Sequence, residues 1–245
     1  MTDMKKLVIT CEHGGNQIPE QYHYLFENSL AKAELASHEG MDFGANELAH
    51  YLSKYAESSF FAEVSRLVVD LNRSLTHPNL FSDYIKTLSH EERDQILQVH
   101  YLPFRSEVEN QIALFIAQGY QVIHLSIHSF VGSINGKPRN ADVGLLYDPS
   151  RLFEKAYCQK WRAELEELAP HLRVRFNYPY LGKSDGFTTY LRRKFDEPAY
   201  SGIEVEFNQR FMHQDETTAW NALKDILKES VRIMFKPNLV QETVR

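Results

Sequence analysis

Apolar and polar positions follow two rhythms along this chain. Short apolar runs end abruptly in polar clusters, and longer stretches repeat their apolar positions at helical spacing. KKLVITC (residues 5–11) predicts a strand that stops at Glu12, His13, two glycines and Asn16. SHEGMDFGANELAHYLSKY (37–55) predicts a helix with Ser37 as its N-cap. SSFFAEVSRLVVDLN (58–72) reads as extended, with RLVVDL as a β-rich strand. A long helical stretch covers 89–120, interrupted near Pro103. Ser89 and Glu92 form a capping-box signature at its start, and Gly119 marks its end.

The second half repeats the alternation. QVIHLSIHSF (121–130) reads as a buried strand and VGLLYD (143–148) as a short one. Residues 149–172 predict a helix with Pro149 in its first turn. LRVRFNYPY (172–180) is extended, and SDGFTTYLRRKF (184–195) is a loop entering a short helix. SGIEVEFNQ (201–209) is a strand, and an amphipathic helix closes the chain over 216–236. Strands alternating with helices imply an α/β sandwich with a largely parallel or mixed sheet. In such sheets, sites gather beyond the carboxyl ends of strands.

Composition narrows the partners. The 245 residues suffice for one large domain. The formal net charge is −6, and no long basic block is present, so neither nucleic acid nor an anionic membrane is expected. An anionic small molecule needs only one or two local arginines. No apolar stretch approaches membrane-spanning length, and no signal-peptide pattern precedes the first strand. Two cysteines do not make a disulfide framework, so the expected location is cytoplasmic.

Four predicted strands end in polar residues that a core does not need. These are Glu12 and His13, Asn72 and Arg73, His128 and Ser129, and Glu204 and Glu206. His13 and His128 suit zinc, which in catalytic sites takes three protein ligands and keeps one position open. Gly14 and Gly15 would let the backbone turn sharply and leave room for substrate. The third ligand is open among Glu12, Asn16, Glu39 and Asp42. Glu39 suits a first-turn acid facing the helix dipole better than Asp42 does, which leaves Asp42 as the favoured ligand. A buried Glu206 could move a proton between water and a leaving amine. Arg73 presents a planar fork for a carboxylate, and Asn72 could add a hydrogen bond. Its alternative is a structural ion pair with Asp70. Arg66, Arg105 and Arg139 carry no local distinction.

The segments CEHGGNQIP, MDFGA, SRLVVDLNRS, HYLPFR, LSIHSF, GLLYD, NYPY, DGFTTY and IEVEFNQ, in this order and spacing, resemble the N-formylglutamate amidohydrolase (deformylase) family. The resemblance runs through nearly the whole chain. It implies one amidohydrolase domain over 1–245, with a three-layer α/β/α sandwich of phosphorylase/hydrolase-like fold and a mixed, mostly parallel sheet. It implies hydrolysis of N-formyl-L-glutamate to formate and L-glutamate, a step of histidine degradation. The DLNR segment looks like the Asn-Arg pair of zinc carboxypeptidases and aspartoacylases, which holds a substrate carboxylate. HGG, a helix acid, SIH and a late glutamate are similar in order to the zinc N-acetylmuramoyl-L-alanine amidases. That likeness supports Asp42 over Asn16 and Glu206 over Glu204.

The expectation is therefore a zinc-dependent amidohydrolase acting on a small N-acyl amino acid. His13, Asp42 and His128 hold the metal, Glu206 is the acid/base, and Arg73 with Asn72 clamps the carboxylate. Ser129, Tyr180 and Thr188 are further candidates for the pocket wall. Two rivals stand beside it: a zinc amidase acting on a peptide or cell-wall fragment, and a non-catalytic binding protein that retains the fold.

Overall fold

The computed structural model describes residues 5–212 and 217–235. Its strands are β1 (Lys5–Cys11), β2 (Ser58–Phe61), β3 (Gln121–Phe130), β4 (Ser133–Ile134), β5 (Lys137–Pro138), β6 (Val143–Leu146), β7 (Val174–Phe176) and β8 (Tyr200–Asn208). Its α-helices are α1 (Ser29–Leu35), α2 (Ala45–Ser53), α3 (Asp83–Lys86), α4 (His90–Ile96), α5 (Leu102–Ala117), α6 (Leu152–Leu168), α7 (Phe187–Lys194) and α8 (Thr217–Phe235). Six strands form one mixed sheet in the order β2-β1-β3-β8-β6-β7. The β2–β1–β3–β8 part is parallel, and β6 runs antiparallel to β8. This is the α/β fold expected from the alternating pattern.

The two faces of the sheet differ in chemistry. One face carries Ile9, Leu125, Ile127, Ile203 and Val205, covered by Leu48 and Leu52 of α2, Trp161 and Leu165 of α6, and Leu227 and Val231 of α8. The other face meets α5 and α7 through Val8, Val108, Ile112, Val122 and Leu191. Strand alternation puts a run of buried polar residues on this second face. Thr10 pairs in register with Ser126, Ser126 with Glu204, and His128 with Glu206. A third apolar cluster, including Tyr22, Val68, Val69, Leu71, Ile85, Ile96 and Tyr101, forms a satellite core away from the sheet.

Two sequence expectations are corrected, and the interruption expected near Pro103 is present. RLVVDL is not a strand: the chain turns at Ser65, whose carbonyl accepts from Val68 N–H at 2.9 Å and whose Oγ accepts from Leu67 N–H at 3.2 Å. Its apolar residues fill the satellite core instead of a sheet. Ser37 starts no helix; its Oγ donates to the Glu34 carbonyl at 2.8 Å and finishes α1. The next helix begins after Gly44, which holds φ +75°. The stretch over 89–120 is split by a π turn, Leu97–Tyr101, just before Pro103, which has no N–H for the preceding turn. The capping box at Ser89 and Glu92 and the left-handed Gly119 both form as expected.

Candidate metal centre and active site

The glycines after β1 serve the chain and not a substrate. A Cβ on Gly15 would come within 2.1 Å of the Glu63 backbone, and one on Gly14 would meet Cys11 Sγ at 2.8 Å. That tight packing overturns the expectation of substrate clearance. Asn16 also turns away, donating from Nδ2 to the Leu35 carbonyl at 2.8 Å. The His13 carbonyl accepts from Asp42 N–H at 2.9 Å, which brings the turn before α2 up to the end of β1.

His13, Asp42 and His128 then meet. The imidazole rings stand edge to face with centroids 4.9 Å apart. Asp42 Oδ2 lies 2.9 Å from His128 Nδ1 and 3.5 Å from His13 Nδ1. All three side chains are buried, with one ligand atom from each within 4.8 Å of the others. The remaining ring nitrogens face other acids. His13 Nε2 is 2.6 Å from Asp70 Oδ1, and His128 Nε2 is 2.9 Å from Ser126 Oγ and 3.4 Å from Glu12 Oε2. Glu12 thus stands behind His128, while Glu39 is exposed and paired with His38 at 3.1 Å. Of the acids weighed from sequence, Asp42 is the one placed between the histidines.

The electrostatics favour positive charge at this point. Burial pushes the Asp42 and Asp70 carboxyls up, but the neighbouring imidazoles, with Arg66 beside Asp70, outweigh it and hold both well below the usual range. Glu12 is lowered to about 2: burial opposes ionisation, but its contact with His128 prevails. Burial lowers the His128 pKa, yet Asp42 and Glu12 raise it well above the ordinary value. Glu206 behaves in the opposite way. Burial, reinforced by Asp42 and Glu204 against His128 and Arg66, pushes its carboxyl up to about 8.

His13, Asp42, His128 and Glu206 line a cavity of about 290 Å³ at the carboxyl ends of β1, β3 and β8. Asn72, Arg73, Ser129, Tyr180 and Glu206 are on its wall. Thr188 is not: it is fully buried, and its hydroxyl donates to Glu204 Oε1 at 2.6 Å, so it supports a wall residue from behind. Arg73 Nε lies 3.7 Å from Asp70 Oδ2, and its Nη1 donates to the Asp185 carbonyl at 3.3 Å. Asn72 Oδ1 accepts from Phe187 N–H at 2.6 Å, fixing the start of α7. Ser129 N–H points at Asp42 Oδ2 across 3.4 Å, and its Oγ accepts from Gln209 Nε2 at 3.0 Å.

Sequence reasoning gave Arg66 no distinction, yet it bridges Asp42 at 3.3 Å and Asp70 at 3.1 Å. Its spacing of four before Asp70 was the available signal. Asp185, whose Oδ2 accepts from Ser74 N–H at 3.0 Å, had none.

Residues 5–212 match the model of the N-formylglutamate amidohydrolase family. The chain belongs to that family. Two solved structures share its fold. The gene product Atu2144 of Agrobacterium tumefaciens is 24% identical, with a TM-score of 0.73 over 93% of this chain and 91% of that one. An N-formylglutamate amidohydrolase of Ralstonia eutropha JMP134 is 16% identical, with a TM-score of 0.70 over 94% of this chain and 93% of that one. No curated protein matches the chain at the same stringency.

For a member of this family, the buried trio fits a divalent transition metal on its own chemistry. Two imidazoles and a carboxylate are a catalytic-zinc donor set. The carboxylates behind both rings are the partners that metal-bound histidines take. Glu206 Oε2 is buried with no hydrogen-bond partner among the described residues, and Glu206 lines the same cavity as the trio.

Proposed function

We propose that the chain is a metal-dependent amidohydrolase of small N-acyl amino acids, with N-formyl-L-glutamate as the lead substrate. The observation that carries this reading is the buried His13–Asp42–His128 trio sharing one small cavity with Glu206 and Arg73. His13, Asp42 and His128 would hold the ion, zinc being the metal that best suits the set. A bound divalent ion supplies Lewis acidity, polarising the amide carbonyl and making water easier to deprotonate.

The protein groups supply the rest. Arg73, steadied by Asp70 and the Asp185 carbonyl, grips the substrate carboxylate and so orients the amide toward the histidines. Asn72 Nδ2, 3.5 Å from His128 Nε2, lies along the same wall. Glu206 takes a proton from the attacking water and returns it to the departing nitrogen. Burial without a hydrogen-bond partner raises the Glu206 carboxyl above its ordinary value, which suits it to accept and return a proton. The products are a carboxylic acid (formate for an N-formyl substrate) and a free amino acid.

The test is a panel of N-formyl and N-acetyl amino acids beside their neutral amides, assayed for released amine. Arg73→Ala is expected to raise KM for the carboxylates by about 10- to 100-fold, as expected for loss of a charged hydrogen bond, and to raise it far less for the neutral amides. Equal effects on both sets would remove Arg73 from substrate binding. The same panel separates an enzyme from a binding protein that merely keeps the fold.

A further inference from the structure

A second cavity of about 800 Å³ adjoins the first, and Val131 lines both. Two contacts cross the boundary. Gln209, on the second cavity, donates to Ser129 on the first, and Arg139 Nη1, on the second, donates to Tyr180 Oη on the first at 3.2 Å. The second cavity is lined by Arg139, Arg173 and Arg210, a concentration of cations in a chain of net charge −6. Arg173 and Arg210 are each already committed to buried Asp142, at 3.3 and 2.7 Å. Arg139 is not: among the described residues no carboxylate lies within ion-pair distance of it.

Arg139 is nevertheless held in place. The β4–β5 hairpin turns at Asn135 and Gly136, both with positive φ, and returns the chain so that Arg139 N–H donates to the Gly132 carbonyl at 2.8 Å. Asn208, at the end of β8, donates to the Ala141 carbonyl at 2.9 Å and pins the segment further. The guanidinium lies over the Tyr180 ring at 5.1 Å and the Phe130 ring at 5.9 Å. A fixed, partly desolvated guanidinium with no anionic partner is a preorganised carboxylate anchor. The arginines of the first cavity lack this property: Arg66 bridges Asp42 and Asp70, and Arg73 also faces Asp70.

We propose that Arg139 and the groove behind it form a second anionic subsite, which selects N-acyl compounds whose side chain carries a remote anionic group and leaves room for side chains longer than that of glutamate. This rests on the amidohydrolase reading above and adds to it the determinant of side-chain choice. In that arrangement Arg73 takes the carboxylate next to the scissile amide. Arg139 takes the distal one, with Tyr180 forming the wall between them.

The experiment compares kcat/KM of the metal-loaded enzyme on N-formyl-norvaline, N-formyl-glutamate and N-formyl-γ-glutamyl-glutamate. The wild type is expected to favour both acidic substrates over the neutral one by about 10-fold or more, and Arg139→Gln to reduce that ratio by about 10-fold, as loss of a charged hydrogen bond implies. Arg139→Lys should restore part of the ratio by charge alone, and thermal melting checks that each variant is folded. A wild type with no acidic preference, or an Arg139→Gln enzyme with an unchanged ratio, overturns the proposal. Should no N-formyl compound be hydrolysed, the functional reading fails, and calorimetry with glutarate decides the subsite by itself. Binding weakened about 10-fold by Arg139→Gln supports it, and equal binding overturns it.

Discussion

His128 and Asp70 lie on either side of His13, yet the chain holds them by different means. His128 is part of β3, where the register with β1 and β8 fixes its neighbours Ser126 and Glu206. Asp70 belongs to a turn with no strand partner. It is carried by the satellite core of Val68, Val69 and Leu71 and by one backbone bond to Leu80 at 2.9 Å. Asn72 and Arg73 follow it on the same segment, whose carbonyls at Leu71 and Arg73 accept from buried Arg105 at 2.9 and 3.1 Å. The sheet therefore carries two of the candidate ligands and the proposed proton carrier, and the satellite core carries the proposed substrate clamp. The contrast is one of support: His128 and Glu206, with His13 just past β1, sit at the ends of a rigid ladder, Asp42 joins them from the turn before α2, and Asn72 and Arg73 sit on a module packed against it.

Perturbing each side should give a different signature, and the largest effect belongs to the sheet. Glu206→Gln keeps the side-chain shape and removes the titratable proton, so kcat should fall by about 10²- to 10⁴-fold with bound metal unchanged. Metal loss in this variant would place Glu206 among the ligands instead. Next comes His124, also on β3, buried between Thr10 Oγ1 and Tyr200 Oη, each at 2.8 Å. Burial lowers its pKa to about 4. The unfolded chain, with an ordinary histidine near 6.5, then binds more protons between those two values. Stability should be intact above about pH 6.5 and lost as pH falls toward 4, by roughly 3 kcal/mol at most. Urea unfolding of the wild type and His124→Gln at pH 7 and pH 4 checks this. An unchanged difference between the two proteins would contradict it.

The satellite side predicts smaller effects. Asp70→Asn leaves the His13 ring without its carboxylate, and metal affinity in a chelator competition should drop by about 10- to 100-fold. Tyr101→Phe removes a hydroxyl that donates to the Arg73 carbonyl at 2.7 Å. It should cost about 1 kcal/mol of stability and raise KM modestly while leaving metal content alone. If Tyr101→Phe instead released metal and spared KM, the proposed division between the two regions would fail.

The same contrast explains what the sequence disclosed. Strand ends were readable because each apolar run stops in polar residues that a core does not need, so His13, His128 and the Glu204–Glu206 pair could be grouped from the sequence alone. The segment RLVVDL deceived because a β-branched apolar run fits a satellite core as well as a sheet, and only the hydrogen bonds at Ser65 separate the two. The site survived that error because Asn72 and Arg73 end the run in either case. Thr188 was misplaced for a related reason: its neighbours resemble a polar loop, but α7 buries it against Glu204. Arg139 had no signal at all, since its distinction, that no carboxylate among the described residues lies within ion-pair distance of it, exists only in three dimensions.

In the proposed reading His13, Asp42 and His128 hold one catalytic metal ion. Its most direct test is metal analysis of the purified protein beside His128→Ala, with folding verified by circular dichroism. The account predicts about one equivalent of a divalent transition metal in the wild type, with zinc foremost, and loss of both metal and amide hydrolysis in the folded variant. A folded His128→Ala protein that keeps its metal and its activity, or a metal-free wild type that hydrolyses N-formyl amino acids at full rate, would contradict it.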